Sequence, residues 1–102
     1  MRCQMPDFIL FMHDDATSTV VDSDWQTYLD GLQAAGVLRG GSAIGDGTCY
    51  RRSGSPGART TTVVGYIKLE EDTFEAAARH LAGNPVYEAG GTVEVRVLPE
   101  TN

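Results

Sequence analysis

Apolar and polar positions along the chain follow two kinds of spacing, and each kind occurs more than once. Strand-like apolar stretches lie at residues 7–12, 38–44, 62–69 and 92–98. Helical spacing follows the first and the third of them, at residues 22–35 and 72–82. The order of elements is therefore βαββαβ. This order predicts an α+β, ferredoxin-like fold with an antiparallel sheet and both helices on one face.

The first helical stretch carries its apolar side chains on a single face. They recur at spacings of three and four residues, at Trp25, Tyr28, Leu29 and Leu32. Asp22 or Ser23 is the predicted N-cap, and Gly36 is the predicted end. We expect this face to pack on the sheet.

The second helical stretch has the same design. Asp72 lies three residues before Glu75, which is an acidic variant of the capping box. The apolar stripe consists of Phe74, Ala77, Ala78 and Leu81. Residues 83–85, Gly-Asn-Pro, are predicted to end the helix. His80 lies near that end, where the helix dipole favours a cation, and we expect it to have a structural role.

The first strand is apolar on both faces. One face carries Phe8, Leu10 and Met12. The other face carries Ile9, Phe11 and His13. The third strand repeats this pattern with Val64 and Tyr66 on one side. An apolar sheet face with a polar rim is typical of an interface, so we predict a homodimer that packs sheet against sheet.

A segment rich in glycine and serine, residues 45–59, separates the second and third strands. It is predicted to form an extra hairpin arm, with residues 48–52 as one side and 53–57 as the turn. Arg51, Arg52 and Arg59 make this segment basic. They suit a carboxylate or phosphate ligand, and they equally suit a solvated loop.

The composition excludes several classes of function. The 102 residues predict a single domain, 1–102, and the formal charge of −6 disfavours nucleic acids and anionic membranes as partners. The first apolar run is much shorter than a membrane span, and we expect a cytoplasmic protein. Cys3 and Cys49 lack a CxxC spacing, so we expect reduced thiols.

His13 is the candidate general base. It ends the first strand, and Asp15 lies on the same side if the strand conformation persists. The carboxylate would then hold the imidazole tautomer and raise its basicity. The alternative is an ordinary strand-end histidine before an acidic turn. A metal site of His13, Asp14 and Asp15 is the weakest interpretation, because three consecutive residues seldom converge on one ion.

The gap between helices and sheet is the predicted ligand pocket. Side chains that could reach a ligand there are Trp25, Ser42, Tyr66 and Tyr87, with Arg51 from the basic segment. Neither a phosphate loop nor a dinucleotide fingerprint is present, and Ser42 lacks the context of a nucleophile elbow. We expect no cofactor.

Three stretches together resemble the YCII-related family. They are the helix text of residues 25–36, Gly-Gly-Ser-Ala-Ile at 40–44, and Asn-Pro-Val-Tyr-Glu-Ala-Gly-Gly-Thr-Val-Glu-Val-Arg at 84–96. The last stretch is the most specific, and the resemblance covers most of the chain. It implies the dimeric α/β-barrel superfamily, in which two ferredoxin-like subunits join their sheets.

The chain departs from that family where its chemistry is concerned. One branch carries Asp-Gly-Pro-Phe before the third strand, whereas residues 53–57 read Ser-Gly-Ser-Pro-Gly. Another branch pairs an early helix histidine with an aspartate, and Trp25 stands in the corresponding part here. The family's catalytic pair is therefore not transferred to this chain. Superfamily relatives include oxygenases, lactone isomerases and heme enzymes, and fold analogy does not choose among them.

Two hypotheses follow. In the first, the protein holds a small molecule in the pocket without catalysis. In the second, it is a cofactor-free enzyme of oxygenase or isomerase/lyase type, acting on a small aromatic or lactone-like metabolite. The second hypothesis assigns His13 as base, Asp15 as its orienting partner, and Tyr66 or Ser42 as hydrogen-bond donor.

Overall fold

The computed structural model describes residues 6–99. The strands are β1 (Asp7–His13), β2 (Leu38–Ala43), β3 (Val63–Glu70) and β4 (Val93–Leu98). The helices are α1 (Asp22–Ala34), α2 (Phe74–Arg79) and α3 (Pro85–Glu88). All strand pairs are antiparallel, in the order β2-β3-β1-β4, so β1 and β3 are central. The predicted α+β class with an antiparallel sheet is confirmed, and the arrangement is compatible with a ferredoxin-like fold.

The core lies between the helices and one face of the sheet. Phe8, Leu10 and Met12 are buried on this face, as their alternation predicts. Tyr28 and Leu32 of α1 belong to the same buried cluster. Full burial of a side chain such as Phe8 contributes about 1.5–3 kcal/mol, so packing on the sheet stabilises α1 more than helix propensity does.

The opposite sheet face is also apolar. Ile9 and Phe11 are half-buried there and do not belong to the buried cluster that the helices join. Phe11 lies opposite Tyr66 of β3, and Val64 is 38% exposed. We call this face the open face. It is apolar, and no helix of residues 6–99 packs on it.

The first helix follows the prediction except at its cap. It begins at Asp22, but the capping position is Val21. The Val21 backbone is extended, and its side chain forms no capping hydrogen bond. The prediction of Asp22 or Ser23 as N-cap is therefore wrong, because both lie inside the first turn. Asp22 and Asp24 still place negative charge at the positive end of the helix dipole. Gly36 follows the helix with φ 75°, as a C-terminal glycine should.

The second helical stretch is shorter than predicted and is followed by a further helix. The helix α2 is capped by Thr73, whose hydroxyl accepts a hydrogen bond from the Ala76 backbone N–H at 3.0 Å, so the predicted Asp72–Glu75 capping box is wrong. Ala76 and Ala77 form its buried face, whereas Phe74 is 48% exposed. The chain then turns and forms α3, a short helix that the sequence pattern did not predict.

The segment at residues 44–62 contains no strand and no helix. The predicted hairpin arm is therefore wrong, since hairpin pairing needs a cross-strand ladder and the Gly, Ser and Pro residues here do not form one. Cys49 is a free thiol within this segment, and Cys3 lies outside the described residues. Within residues 6–99, no helix has both the length and the apolar character that a membrane span requires.

Candidate functional site

A cavity of about 650 Å³ lies between α1 and the β2–β3 half of the sheet, and we call it the sheet cavity. Its apolar walls include Met12, Val20, Trp25, Leu29, Leu38, Ile67 and Val86. His13, Asp14, Ser42 and Tyr66 are also among its lining residues. Directly paired residues of antiparallel strands share a face, and Tyr66 pairs with both Phe11 and Ser42, so the side chains of Ser42 and Tyr66 leave the sheet on the open face. This is the gap in which the sequence places a ligand pocket.

Glycines leave this space open. Gly40 follows an irregularity in the β2–β3 register and has φ 149°, a conformation that favours glycine. At Gly41, a Cβ atom would lie 2.8 Å from the backbone oxygen of Tyr66, so a larger residue would collide with β3. With Gly65, these positions line the cavity without filling it.

His13 is held by a carboxylate from the neighbouring strand. The pairing register is irregular between Met12 and His13, and the imidazole Nε2 lies 3.1 Å from Oε1 of Glu94. Oε2 of Glu94 accepts a hydrogen bond from Nε of Arg96 at 2.7 Å. The hydrogen bonds from Arg96, and next from His13, lower the pKa of Glu94. The carboxylate therefore stays ionised near neutral pH and can orient the His13 ring.

Asp15 has a different partner from the one expected. Its two carboxylate oxygens accept hydrogen bonds from the hydroxyl and the backbone N–H of Thr92, at 2.6 and 2.7 Å. These two hydrogen bonds, the hydroxyl's first, lower the pKa of Asp15. The expected contact between Asp15 and the His13 ring is not formed, because the chain leaves the strand conformation after His13.

Glu94 is the residue that sequence reasoning missed. It lies opposite Phe11 in the β1–β4 pair. Phe11 is two positions before His13 in β1, so Glu94 and His13 lie on the same open face. The alternation along β4 places Glu94 on the sheet face away from the one that carries the core-packed valines. The antiparallel register, rather than proximity in sequence, brings it to His13.

The predicted binding residues divide into two groups. Trp25, Ser42 and Tyr66 line the sheet cavity together with His13. Ser42 donates a hydrogen bond to the backbone oxygen of Ala43 at 2.8 Å. Trp25 meets Tyr28 edge-on, with ring centroids 6.0 Å apart. The first group therefore combines the aromatic wall of Trp25 with His13 at the cavity edge, while Ser42 and Tyr66 border the cavity from β2 and β3.

Tyr87 and Arg51 do not line the sheet cavity. Tyr87 is 49% exposed on α3, and its neighbour Val86 occupies the wall instead. Arg51 lies in the irregular segment and donates a hydrogen bond to the backbone oxygen of Ser55 at 3.2 Å. Tyr87 therefore lies at the surface on the unpredicted helix α3, and Arg51 lies in the exposed segment at residues 44–62, outside the cavity wall.

A second cavity of about 550 Å³ lies between α1 and the α2–α3 connection. Arg79, Asp24 and Glu88 give it a mixed charge. His80 also lines it, but the His80 Nε2 lies 2.7 Å from Oε2 of Glu71, so this side chain has a structural partner. Within residues 6–99, no three His, Cys, Asp or Glu side chains come close enough to hold a metal ion.

Comparison with known proteins adds no family assignment. No protein-family model matches the chain, and no curated protein matches it significantly. The fold and the sheet cavity therefore carry the functional argument by themselves. The molecule is a small α+β protein with an apolar pocket that has a few polar residues in its lining. A histidine that contacts a carboxylate lies at the edge of this pocket.

Proposed function

We propose that this chain binds a small, largely apolar molecule in the sheet cavity. The observation that carries the proposal is the cavity itself, which has about 650 Å³ and mainly apolar walls. Ligand pockets in proteins commonly have volumes of roughly 300–1,000 Å³ and a few polar groups that fix orientation. At the edge of the cavity, His13 and Asp14 can supply such groups.

The wall of the cavity also indicates the kind of ligand. Trp25 offers an aromatic surface, and aromatic rings stack or meet edge-on with other rings. A small aromatic or lactone-like metabolite therefore fits the cavity in size and polarity. The proposed ligand accepts or donates hydrogen bonds at the His13 end.

Fluorescence tests this proposal directly. Trp25 is the only tryptophan of the chain and lines the cavity, so a bound naphthylamine dye should receive energy from it. Titration with the neutral dye N-phenylnaphthylamine should give saturable energy transfer in the micromolar range. Without saturable transfer, the proposal fails.

A cavity-filling variant makes the test specific. Ala43→Phe adds a ring at the cavity edge and should weaken dye binding at least about tenfold, because it takes up space that the ligand needs. Ala82→Phe is the matched control, since Ala82 lines the cavity between the helices instead. Equal binding in both variants would contradict a site beneath α1.

A second candidate function is cofactor-free catalysis. The observation that favours it is the contact between His13 and Glu94, because a carboxylate that orients an imidazole is the usual support of a general base. The base would remove a proton from the carbon beside a carbonyl group, as in an isomerase. The hydroxyl group of Ser42 or Tyr66 would then stabilise the enolate oxygen by donating a hydrogen bond.

Deuterium exchange separates catalysis from simple binding. In D₂O, a catalytic protein should accelerate exchange of the acidic protons of benzofuranone, an aromatic lactone, as observed by NMR. His13→Gln should reduce the acceleration by roughly 10²–10⁴-fold, the usual contribution of a positioned base, and Glu94→Gln should reduce it by a smaller factor, because it removes only the orienting charge. Unchanged exchange in His13→Gln would leave only the binding function.

We also propose that two copies pack through the open face, as in a ferredoxin-like dimeric α/β barrel. Ile9, Phe11 and Tyr66 supply an apolar centre, and β3 and β4 add charges of both signs around it. A rim that contains both Lys68 and Glu94 suits a second copy of itself, because a two-fold axis can bring opposite charges together.

A further inference from the structure

Residues 44–62, which we call the arm, are long for a connection without regular structure. They leave the sheet at the end of β2 and return at the start of β3. Almost the whole arm is exposed, and Tyr50 is 89% exposed. Irregular connections beyond about 12–15 residues are uncommon in compact domains, and those that are ordered usually serve a function.

Both ends of the arm are fixed at the rim of the sheet cavity. The backbone N–H of Ile44 donates to the oxygen of Val64 at 2.9 Å. The N–H of Asp14 donates to the oxygen of Thr62 at 2.7 Å. Asp14 and Val64 line the cavity. Each half of the arm, if extended, spans up to roughly 30 Å, so its tip can reach across the cavity mouth.

The arm differs from the rest of the molecule in charge. It contains three arginines and one aspartate, whereas the other described residues contain twelve acidic and four basic side chains. Within the arm, Nη2 of Arg59 lies 3.5 Å from Oδ1 of Asp46. Among residues 6–99, neither Arg51 nor Arg52 has a carboxylate within 4.0 Å. Among the residues that the structure describes, no lysine or arginine lines the sheet cavity.

We propose that the arm closes over the sheet cavity, where Arg51 and Arg52 bind an anionic group of the ligand. The ligand class is then an aromatic molecule that carries one carboxylate or a similar oxyanion. Its apolar body fills the cavity, and the guanidinium groups bind the oxyanion at the mouth, where they can form two parallel hydrogen bonds. This inference rests on the proposed binding function.

Two matched dyes test it. N-phenylnaphthylamine is neutral, and anilinonaphthalene sulfonate has the same ring system with one added sulfonate. The double variant Arg51→Gln/Arg52→Gln should weaken binding of the sulfonate dye at least about tenfold and change binding of the neutral dye less than about twofold. Energy transfer from Trp25 reports binding in the sheet cavity for both dyes. Added salt should weaken binding of the sulfonate dye to the wild-type protein only.

Arg79→Gln is the control, because it applies the same arginine-to-glutamine change, for one positive charge, at the cavity between the helices. It should leave both dyes unchanged. Loss of the sulfonate dye in Arg79→Gln, or equal affinity of the double variant and the wild type, would overturn the arm proposal and leave the binding function intact. Failure of the neutral dye to bind the wild-type protein would overturn the binding function, and the arm proposal with it.

Discussion

Tyr28 connects α1 to the end of α2 through one hydrogen bond. Its hydroxyl donates to the backbone oxygen of His80 at 2.7 Å, and the side chain is buried. We expect Tyr28→Phe to lower the free energy of unfolding by about 0.5–1.5 kcal/mol, because the carbonyl loses its partner. Urea denaturation at neutral pH measures this change, and a stability equal to that of the wild type would contradict it.

The same residue gives the fold a dependence on alkaline pH. Burial raises the pKa of Tyr28 above its ordinary value of 10.0. Folding therefore favours the neutral phenol, and its contribution is complete below pH 10.0 and is lost as the pH rises through the raised pKa. Tyr28→Phe should remove this part of the alkaline loss. Identical alkaline denaturation curves for both proteins would show that another group is responsible.

Asp15 supplies the opposite dependence at acidic pH. Its pKa is lowered by the hydrogen bonds from Thr92, so it stabilises the fold above its ordinary pKa of 3.8, and this stability is lost as the pH falls through the lowered value. Thr92→Val keeps the shape but removes the hydroxyl. We expect the Asp15 pKa to rise toward 3.8, measured by carboxyl carbon NMR. The Glu94 pKa should not change.

At this scale, the sequence indicates the important side chain but not its partner. His13 can be singled out because it ends an apolar strand beside two aspartates. Its observed contact with Glu94 depends on how β1 and β4 are aligned, and hydrogen bonds to Thr92 hold Asp15 elsewhere. A local pattern favours the nearest carboxylate in sequence. The sheet register selects one 81 positions away.

Two short helices depend on side-chain caps of different burial. Asn84 is buried, and its Oδ1 accepts hydrogen bonds from the backbone N–H groups of Val86 and Tyr87 at 3.0 and 3.1 Å. Thr73 caps α2 from an exposed position. Loss of a cap costs about 0.5–2 kcal/mol. We expect Asn84→Ala to lie at the upper end of this range and Thr73→Ala near its middle.

Amide exchange separates the two caps. Asn84→Ala should accelerate hydrogen exchange at Val86 and Tyr87 while it leaves the Ala76 amide unchanged. Thr73→Ala should do the reverse, because the Thr73 hydroxyl accepts a hydrogen bond from the Ala76 backbone N–H. Uniform acceleration in both variants would mean that the helices unfold together with the sheet rather than through their caps.

At the scale of elements, periodicity predicts the main strands and α1 well. It fails at α2, where a helix with three consecutive alanines ends early and the Gly-Asn-Pro stretch leads into a new helix instead of a loop. Asn84 caps that helix and Pro85 occupies its first turn, which is a known role of proline. The sequence therefore contains the signal for α3, although the same three residues are also typical of a helix end.

At the scale of the whole molecule, the cavity depends on contacts that no single segment contains. Gly41, Gly65 and Trp25 come from different elements, and the space between them exists only when the sheet and α1 have packed. The sequence predicts the gap between the layers and several of its residues. It does not predict that Tyr87 lies outside, because that depends on the direction of α3.

The open face leads to a prediction about the assembled protein. We expect the wild-type chain to sediment at micromolar concentration with twice the chain mass of 11.0 kDa, because the proposed packing would bury the apolar surface around Phe11 between two copies. Phe11→Glu places a charge at the centre of that surface and should raise the dimer dissociation constant at least about a hundredfold, since a buried unpaired charge is costly.

Val21→Glu is the control: Val21 is 49% exposed before α1, and the added charge there should leave the dimer intact. Circular dichroism must show that each variant keeps its secondary structure. A monomeric wild-type protein, or a folded Phe11→Glu protein that still dimerises, would exclude the sheet-to-sheet assembly.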